Sequence, residues 1–423
     1  MRVYLCSSYD VSGGAGRATY RLHQALKKMR EIDSTLFVQQ QEIFNDTSIK
    51  RYLTPHTNLL RKATCRSVPL METFFRKLFT STKEGSHSLP FLPDFQSPNI
   101  RYMNQHADII NLHWIGSGFL NAWSIASLNK PVVWTLHDTW PFCGTEHYPA
   151  GTDYYKDGYK STDQKQYRLS QEVWSLKYKN FKKIKDLTIV SPSKWLAGLA
   201  RDSLMFRGRR IEVIPNSLET EVFFPCRQAV AREALGLDLK KKIILFGSAA
   251  GLKDKRKGFH HLLEILRLIK EESLFDVKKL VLLTFGYVKE EFKDFQIAIQ
   301  GLGDIKDDRI LRLAYSAADV LALPSEEDNL PNILLESMAC GTPAVGFNIG
   351  GVSDLVLPDQ TGYLAEFGNY RQFADGLIKS LTERNKEEWS KQTVSFIENG
   401  YTLAHQGKAY SDLFSDILKK SKQ

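Results

Sequence analysis

The stretch Leu323-Pro-Ser-Glu-Glu-Asp328-Asn-Leu-Pro-Asn332-Ile-Leu-Leu-Glu336-Ser-Met-Ala-Cys-Gly341-Thr-Pro343 reads as a strand end, a loop, a helix and the entry to another strand. Asp319 to Leu323 before it and Pro343 to Phe347 after it are apolar runs of strand length. Pro331 suits the first turn of a helix, where its missing N–H is no loss, and Gly341 suits the position just past the end, so a short helix is expected between them. Glu336 lies one turn after Asn332 on that helix and Asp328 lies in the loop before it. Both carboxylates can then face one ligand lying across the helix N-terminus and accept hydrogen bonds from several hydroxyls at once.

Working outward, Ile211 to Ile214, Lys242 to Phe246 and Lys279 to Phe285 are further strand-sized runs that join the same α/β series. An earlier series runs Arg2 to Cys6, Thr35 to Val38, Asp108 to His113, Pro131 to Leu136 and Leu187 to Val190. Buried parallel strands read this way, so each series suggests a doubly wound α/β sheet. A chain of 423 residues exceeds one compact core, at roughly 100–200 residues per domain. The expected division is residues 1–205 and 206–394, parted where Met205-Phe-Arg-Gly-Arg-Arg210 interrupts the pattern, with the charged helical tail 395–423 free to pack back on the first domain. Residues 51–100 and 143–170 fit this rhythm poorly and read as functional loops or flexible segments.

A hydrophobic fraction of 43% and a charged fraction of 25% exclude a largely disordered chain. The net charge of +9 favours an acidic partner: phosphate, nucleic acid or an anionic membrane surface. The five cysteines, Cys6, Cys65, Cys143, Cys226 and Cys340, are far apart and form no C-x-x-C pair, which argues against a disulfide framework or a zinc site. No apolar run reaches the roughly 18 residues of a membrane span, and the first residues turn polar too early for a signal peptide, so a cytoplasmic protein is expected.

Three other places carry chemistry. The first strand runs into Ser12-Gly-Gly-Ala-Gly-Arg-Ala18 ahead of a helical pattern, a turn where backbone can approach an anion, although the spacing also serves as a plain tight turn. His137 ends Pro131-Val-Val-Trp-Thr-Leu-His-Asp138 and His113 follows Asp108-Ile-Ile-Asn-Leu112, both at carboxyl ends of strands, where ligands of such sheets bind. A lone histidine is often only a packed core residue, an alternative that weighs more for His113 than for His137. Lys253-Asp-Lys-Arg-Lys257-Gly258 is a basic cluster at a strand-to-helix crossing, suited to a diphosphate or else a solvated charge run, with Lys257 the cation expected to point inward.

Taken in order, the Gly-Gly turn, Thr135-Leu-His137, Ser191-Pro-Ser-Lys194, Val213-Ile-Pro-Asn216, Arg256-Lys-Gly258, Asp328-x7-Glu336 with Ala339-Cys-Gly-Thr-Pro343, Gly350-Gly-Val-Ser-Asp354 and Thr361-Gly362 resemble the family 4 retaining glycosyltransferases of the GT-B fold. The resemblance implies two Rossmann-like domains facing across a cleft, the nucleotide-sugar held mainly by the second and the acceptor by the first. It implies that Glu336 binds ribose hydroxyls, Asp328 reaches the donor sugar, Lys257 and Arg256 hold the diphosphate, and backbone at Asn332 and Ile333 meets sugar or phosphate oxygens. His137 would lie beside the transferred sugar and Gly14 in the turn approaching the phosphates. The implied catalytic set is His137, Asp328 and Lys257.

Three departures bear on this. Asp328 stands where the family usually has Glu. Leu252 stands where a diphosphate arginine is common, so Arg256 or Lys253 would substitute. Only Cys143 follows the His-Asp-x-Trp-Pro-Phe segment, so no metal knuckle and no metal requirement are expected.

The implied reaction moves a hexose from a nucleoside-diphosphate sugar, UDP favoured and GDP possible, to a hydroxyl of a glycan, with retention. The Cys143-Gly-Thr-Glu-His-Tyr148 segment resembles that of bacterial O-antigen and capsule transferases, which points to a polyprenyl-linked acceptor in surface polysaccharide synthesis. The rivals are a sugar-nucleotide epimerase or phosphorylase on the same fold, and a basic protein binding nucleic acid or membrane; nucleic acid is not expected as a partner. Docking on an anionic membrane is expected from basic segments at 56–80 and 165–185, the second carrying Trp174, Tyr178 and Phe181 at helical spacing. The same stripe would serve equally well to pack on the domain core.

Overall fold

The computed structural model describes residues 1–51, 89–91, 99–149, 151–162, 164–248, 254–286, 297–382 and 386–421. Two compact units divide it: Met1–Asn216 with Gln406–Gln423, and Ser217–His405.

The first unit is built on a seven-stranded sheet of β1 (Arg2–Tyr9), β2 (Asp33–Gln40), β3 (Ile49–Arg51), β4 (Ile109–Leu112), β5 (Val132–Thr135), β6 (Leu187–Ser191) and β7 (Arg210–Val213). Their order is 3-2-1-4-5-6-7, and every pair is parallel. The second unit orders β8 (Lys242–Gly247), β9 (Leu280–Phe285), β10 (Ala298–Gly301), β11 (Val320–Leu323), β12 (Ala344–Phe347) and β13 (Gly362–Ala365) as 10-9-8-11-12-13, again parallel throughout.

Both sheets are apolar on both faces, as crossover helices require. In β1, Val3 and Leu5 join one buried cluster while Tyr4 and Cys6 join another. In β8, Ile243 and Leu245 go one way and Ile244 and Phe246 the other. The winding reverses where β1 meets β4 and where β8 meets β11, so each unit has a crevice-forming switch point beyond the carboxyl ends of those strands.

The expected boundary at 205/206 moves to 216/217. Met205-Phe-Arg-Gly-Arg-Arg210 is not a linker: Phe206 is buried against Trp134 and Phe142, and the chain then forms β7 along β6 as the last strand of the first sheet. The run Ile211 to Ile214 therefore belongs to the first series. At the other end, the helix Lys386–Glu398 stays with the second unit through Ile397, and only the final helix, Leu403–Lys420, returns. Tyr410, Leu413, Phe414 and Ile417 fill the cluster that contains Val3, Leu5, Leu22 and Leu36.

Residues 143–170 also depart from expectation, being folded onto the core where they are described, with Cys143, Tyr155 and Tyr159 buried in it. So is the proposed membrane helix. In Arg168–Phe181, Trp174 and Phe181 face inward, Trp174 Nε1 donates to Phe142 O at 3.1 Å, and Lys177 is fully buried with its ammonium donating to Trp140 O and Gly144 O. Burial pulls the Lys177 pKa down to about 7. The other basic segment, 56–80, lies outside the described residues. Among the described residues no helix is long and apolar enough to cross a membrane.

Candidate active site

At the switch point of the second unit, the loop after β11 is held on both sides. Gly258 takes a φ of +70°, and a Cβ there would lie 1.7 Å from Pro324 O. Gly350 takes +52°, and its Cβ would lie 1.8 Å from Asp328 O, while the N–H of Gly351 donates to that same oxygen at 3.0 Å. Only residues without a Cβ allow these approaches. Arg256 tightens the loop further: its Nη1 donates to Glu327 O at 3.0 Å, its Nη2 to Asp254 at 2.9 Å, and its carbonyl accepts from Glu326 N. The guanidinium expected on a diphosphate is thus engaged in shaping the loop. Lys253, Ala249 and Leu252 lie outside the described residues.

The loop presents Asp328, only 6% exposed, with Lys257 Nζ 2.5 Å from its Oδ2. A charge-assisted bond at this depth fixes both groups, so Lys257 is no solvated lysine. Beyond it, the helix Asn332–Ala339 begins after Pro331 and closes with Gly341 N–H to Met338 O and Thr342 N–H to Ser337 O, the paired bonds of a Schellman end. Asn332 and Ile333 supply its first-turn N–H groups, an anion-attracting end next to the Asp328 loop.

Glu336 is 4% exposed, and its Oε2 accepts from the hydroxyl of Tyr315 at 2.8 Å. Tyr315, on the helix Asp308–Ala317, reads in sequence only as part of an apolar stripe. Ser248 and Ser325, the residues following β8 and two places after β11, keep buried hydroxyls with no partner among the described residues. Unspent donors at a switch point mark a place for a polar ligand.

In the first unit, Gly14 and His137 both stand at the carboxyl end of the sheet. Gly14 is exposed in the first turn of the helix Gly13–Lys27 rather than in the turn before it. The close helix-to-strand approach falls to Gly16, whose Cβ would sit 3.2 Å from Tyr9 Cβ. His137 is partly exposed and its Nε2 lies 3.0 Å from Nδ1 of His113, which is buried. Beside them Asp138 accepts from His147 Nδ1 at 2.6 Å, Trp114 Nε1 at 3.1 Å and Trp140 N at 3.0 Å. That carboxyl is held below the usual range: burial opposes ionisation, and His147 with the hydrogen bonds outweighs it.

Burial lowers the His137 pKa to about 4, holds that of His113 well below the usual histidine value, and lowers His23, enclosed by Ser34 and Ser48, to about 4. With folded values below unfolded ones, the unfolded chain binds protons first, so stability is lost as pH falls from 6.5 towards 4. At pH 5 His23 alone should cost about 2 kcal/mol. Thermal melts at pH 7.5, 6 and 5 should show a falling midpoint that flattens in His23→Gln; parallel curves for the two proteins would refute this account of His23.

A further cluster brings metal-ligating side chains together. Among the described residues, His260, His261 and Glu326 place their ligand atoms within 4.8 Å of one another, with His261 Nδ1 oriented by Tyr370 OH at 2.7 Å. His260 and His261 sit in the first helical turn after Gly258, where the helix dipole disfavours a cation, and Glu326 meets them from the loop after β11.

The Lys257, Arg256, Asp328, Asn332, Ile333 and Glu336 positions thus come together in one unit, and Gly14 and His137 in the other. The model of "Glycosyltransferase Family 4" matches residues 12–222, and that of "Glycosyl transferases group 1" matches 228–402. The chain is 26% identical to N-acetyl-alpha-D-glucosaminyl L-malate synthase of Bacillus anthracis over 50% of this chain and 55% of that protein. It is 25% identical to the UDP-Gal:alpha-D-GlcNAc-diphosphoundecaprenol alpha-1,3-galactosyltransferase of Escherichia coli, over 49% and 55%. The chain spans about half the length of these curated relatives. In structure it is similar to sucrose-phosphate synthase from Thermosynechococcus elongatus, with a TM-score of 0.68 at 16% identity, covering 99% of this chain and 100% of the other. With both family models matched in tandem on two doubly wound units of the GT-B type, the chain belongs to the family 4 glycosyltransferases.

Proposed function

We infer that the protein is a retaining hexosyltransferase that takes its sugar from a nucleoside diphosphate, UDP in preference to GDP, and delivers it to a hydroxyl of a polyprenyl-linked glycan during bacterial surface polysaccharide synthesis. The observation that carries this reading is the Lys257–Asp328 pair set at a switch point beside the helix that presents Asn332, Ile333 and Glu336. The name of the Escherichia coli relative, with its UDP-galactose donor and diphosphoundecaprenol acceptor, supports the choice of substrates.

In this reading Glu336 takes ribose hydroxyls, with Tyr315 holding its carboxylate, and the amides of Asn332 and Ile333 meet donor oxygens. Lys257 turns from Asp328 to the diphosphate as negative charge grows on the leaving group. A cation delivered there as the charge develops stabilises the transition state more than the ground state. Asp328, released from the lysine, accepts from the sugar, and His137 is the sugar contact assigned to the first unit. The protein's own cations neutralise the leaving group in this scheme, and the acceptor attacks the face the diphosphate leaves. Work takes place at the cytoplasmic face of an anionic membrane, to which exposed Lys179, Lys182, Lys183 and Lys185 contribute attraction.

Calorimetric binding of UDP-, GDP-, ADP- and TDP-sugars, followed by turnover with a polyprenyl-diphosphate-linked glycan and the anomeric configuration of the product, tests the proposal. No nucleotide-sugar binding would sink it, and isomerised donor without any acceptor would make the protein an epimerase. Within the same assay Glu336→Gln should weaken donor binding about tenfold, whereas Asp328→Asn should mainly lower turnover. Unchanged donor affinity in Glu336→Gln would remove the ribose assignment. Co-sedimentation with anionic vesicles at low but not high salt is expected; its absence at low salt would favour a soluble acceptor.

A further inference from the structure

His137 does not stand alone at the end of β5. The β4–β5 register sets Asn111 opposite Val133, and Asn111 is fully buried. One atom of its amide lies 3.0 Å from Val133 O, which can only accept, so that atom is the nitrogen; it also donates to Thr135 Oγ1 at 3.0 Å. The amide oxygen therefore faces His113 Nε2 at 3.1 Å, and because an amide oxygen only accepts, His113 carries its proton on Nε2. His113 is buried and neutral, so its Nδ1 is a bare lone pair, and His137 Nε2, 3.0 Å away, must be the donor to it. At the far end Thr135 Oγ1 meets the buried Tyr410 hydroxyl at 2.8 Å, which ties the row to the last helix of the chain.

We propose that Asn111 and His113 are positioning residues that lock His137 in its Nε2–H tautomer, so that Nδ1 meets a ligand only as a hydrogen-bond acceptor. Every link is set by the one before it, starting from a main-chain carbonyl whose role is invariant. A histidine so held takes a hydrogen bond from a sugar hydroxyl and gives none to the leaving group. This places acid catalysis outside His137 and makes it selective for a hydroxyl over an acceptor-only substituent such as fluorine at the position it contacts. The selectivity rests on the reading of His137 as a sugar contact; the tautomer does not.

Selective 15N labelling of the histidines in the full chain, with His137 assigned by the signals lost in His137→Gln, reads the tautomer directly. At pH 7.5 the proton should be on Nε2 and the bare nitrogen should be Nδ1; a proton on Nδ1, or an averaged pair, overturns the proposal. Kinetics separate positioning from packing. His113→Gln offers an oxygen to His137 and an amide N–H to Asn111, whereas His113→Phe fills the space and offers neither. The Gln variant should stay within about threefold of the parent kcat while the Phe variant loses about tenfold and shows a mixed His137 tautomer. Phe equal to or better than Gln would make His113 a packing residue and defeat the proposal. A locked tautomer combined with undiminished kcat/KM in His137→Gln would overturn the selectivity and with it the sugar contact, which distinguishes failure of that reading from failure of the relay.

Discussion

Lys257→Ala should lower kcat by about 10²–10³-fold, the loss typical of removing one preorganised group that meets developing charge. Two roles compete for this lysine. One is to neutralise Asp328, whose side chain is 9% exposed and lies 2.5 Å from the ammonium; the other is to reach the diphosphate. Removing only the lysine leaves a buried carboxylate unpaired, so some loss of stability accompanies the single variant under either role. The double variant Lys257→Ala/Asp328→Asn separates them. If the lysine only balances Asp328, the double variant should match Asp328→Asn alone in both melting temperature and turnover. If it serves the diphosphate, the melting temperature matches that of Asp328→Asn while turnover falls well below it. Lys253→Ala should be mild in comparison, and equal effects at 253 and 257 would return both to the class of solvated charges.

The second large effect is expected from a single methyl group. Gly350→Ala combines a left-handed φ of +52° with a Cβ 1.8 Å from Asp328 O, so either the 350–351 turn or the Asp328 loop has to shift by more than an ordinary packing adjustment. We expect a loss of about 2–4 kcal/mol, together with at least about a tenfold fall in donor kcat/KM as Asp328 is carried away from Lys257. Gly13→Ala is the matched control, since its φ is +69° but nothing lies within 4 Å of the added carbon. It should cost about 1–2 kcal/mol from backbone strain alone. Calorimetric unfolding of both variants decides the matter: equal losses would mean that the close approach at Gly350 contributes nothing, and that the loop accommodates the methyl freely.

The parts of this architecture that local chemistry dictates were readable from the chain. Pro331 and Gly341 bracket a helix because one lacks a donor and the other lacks a side chain, and the helix Asn332–Ala339 forms between them. Apolar runs without alternation announced two parallel sheets, since strands covered on both faces have no polar side. What failed depended on partners distant in sequence. The Ile211 to Ile214 run could serve either sheet, and only pairing with β6 assigns it. Trp174 and Phe181 repeat at a spacing that a membrane surface and a domain core satisfy equally well, and Lys177, placed beside them, is paired with main-chain carbonyls that no pattern foretells. Tyr315 gave no sign of holding Glu336. The histidine row did leave a trace. Asn111 with His113, and Thr135 with His137, are polar residues two apart at the ends of otherwise apolar strands, hence on one face each, and adjacent strands bring the two pairs together.

The returning final helix has a consequence for how the protein comes into being. During translation residues 217–405 emerge as an uninterrupted segment and can close their own core while the chain is still being extended. The amino-terminal unit, although made first, leaves the face formed by Val3, Leu5, Leu22 and Leu36 uncovered until Tyr410 and Phe414 have left the ribosome. The half that is synthesised earliest is thus the half completed last. For that interval it exposes an apolar surface of the kind that nascent-chain chaperones cover.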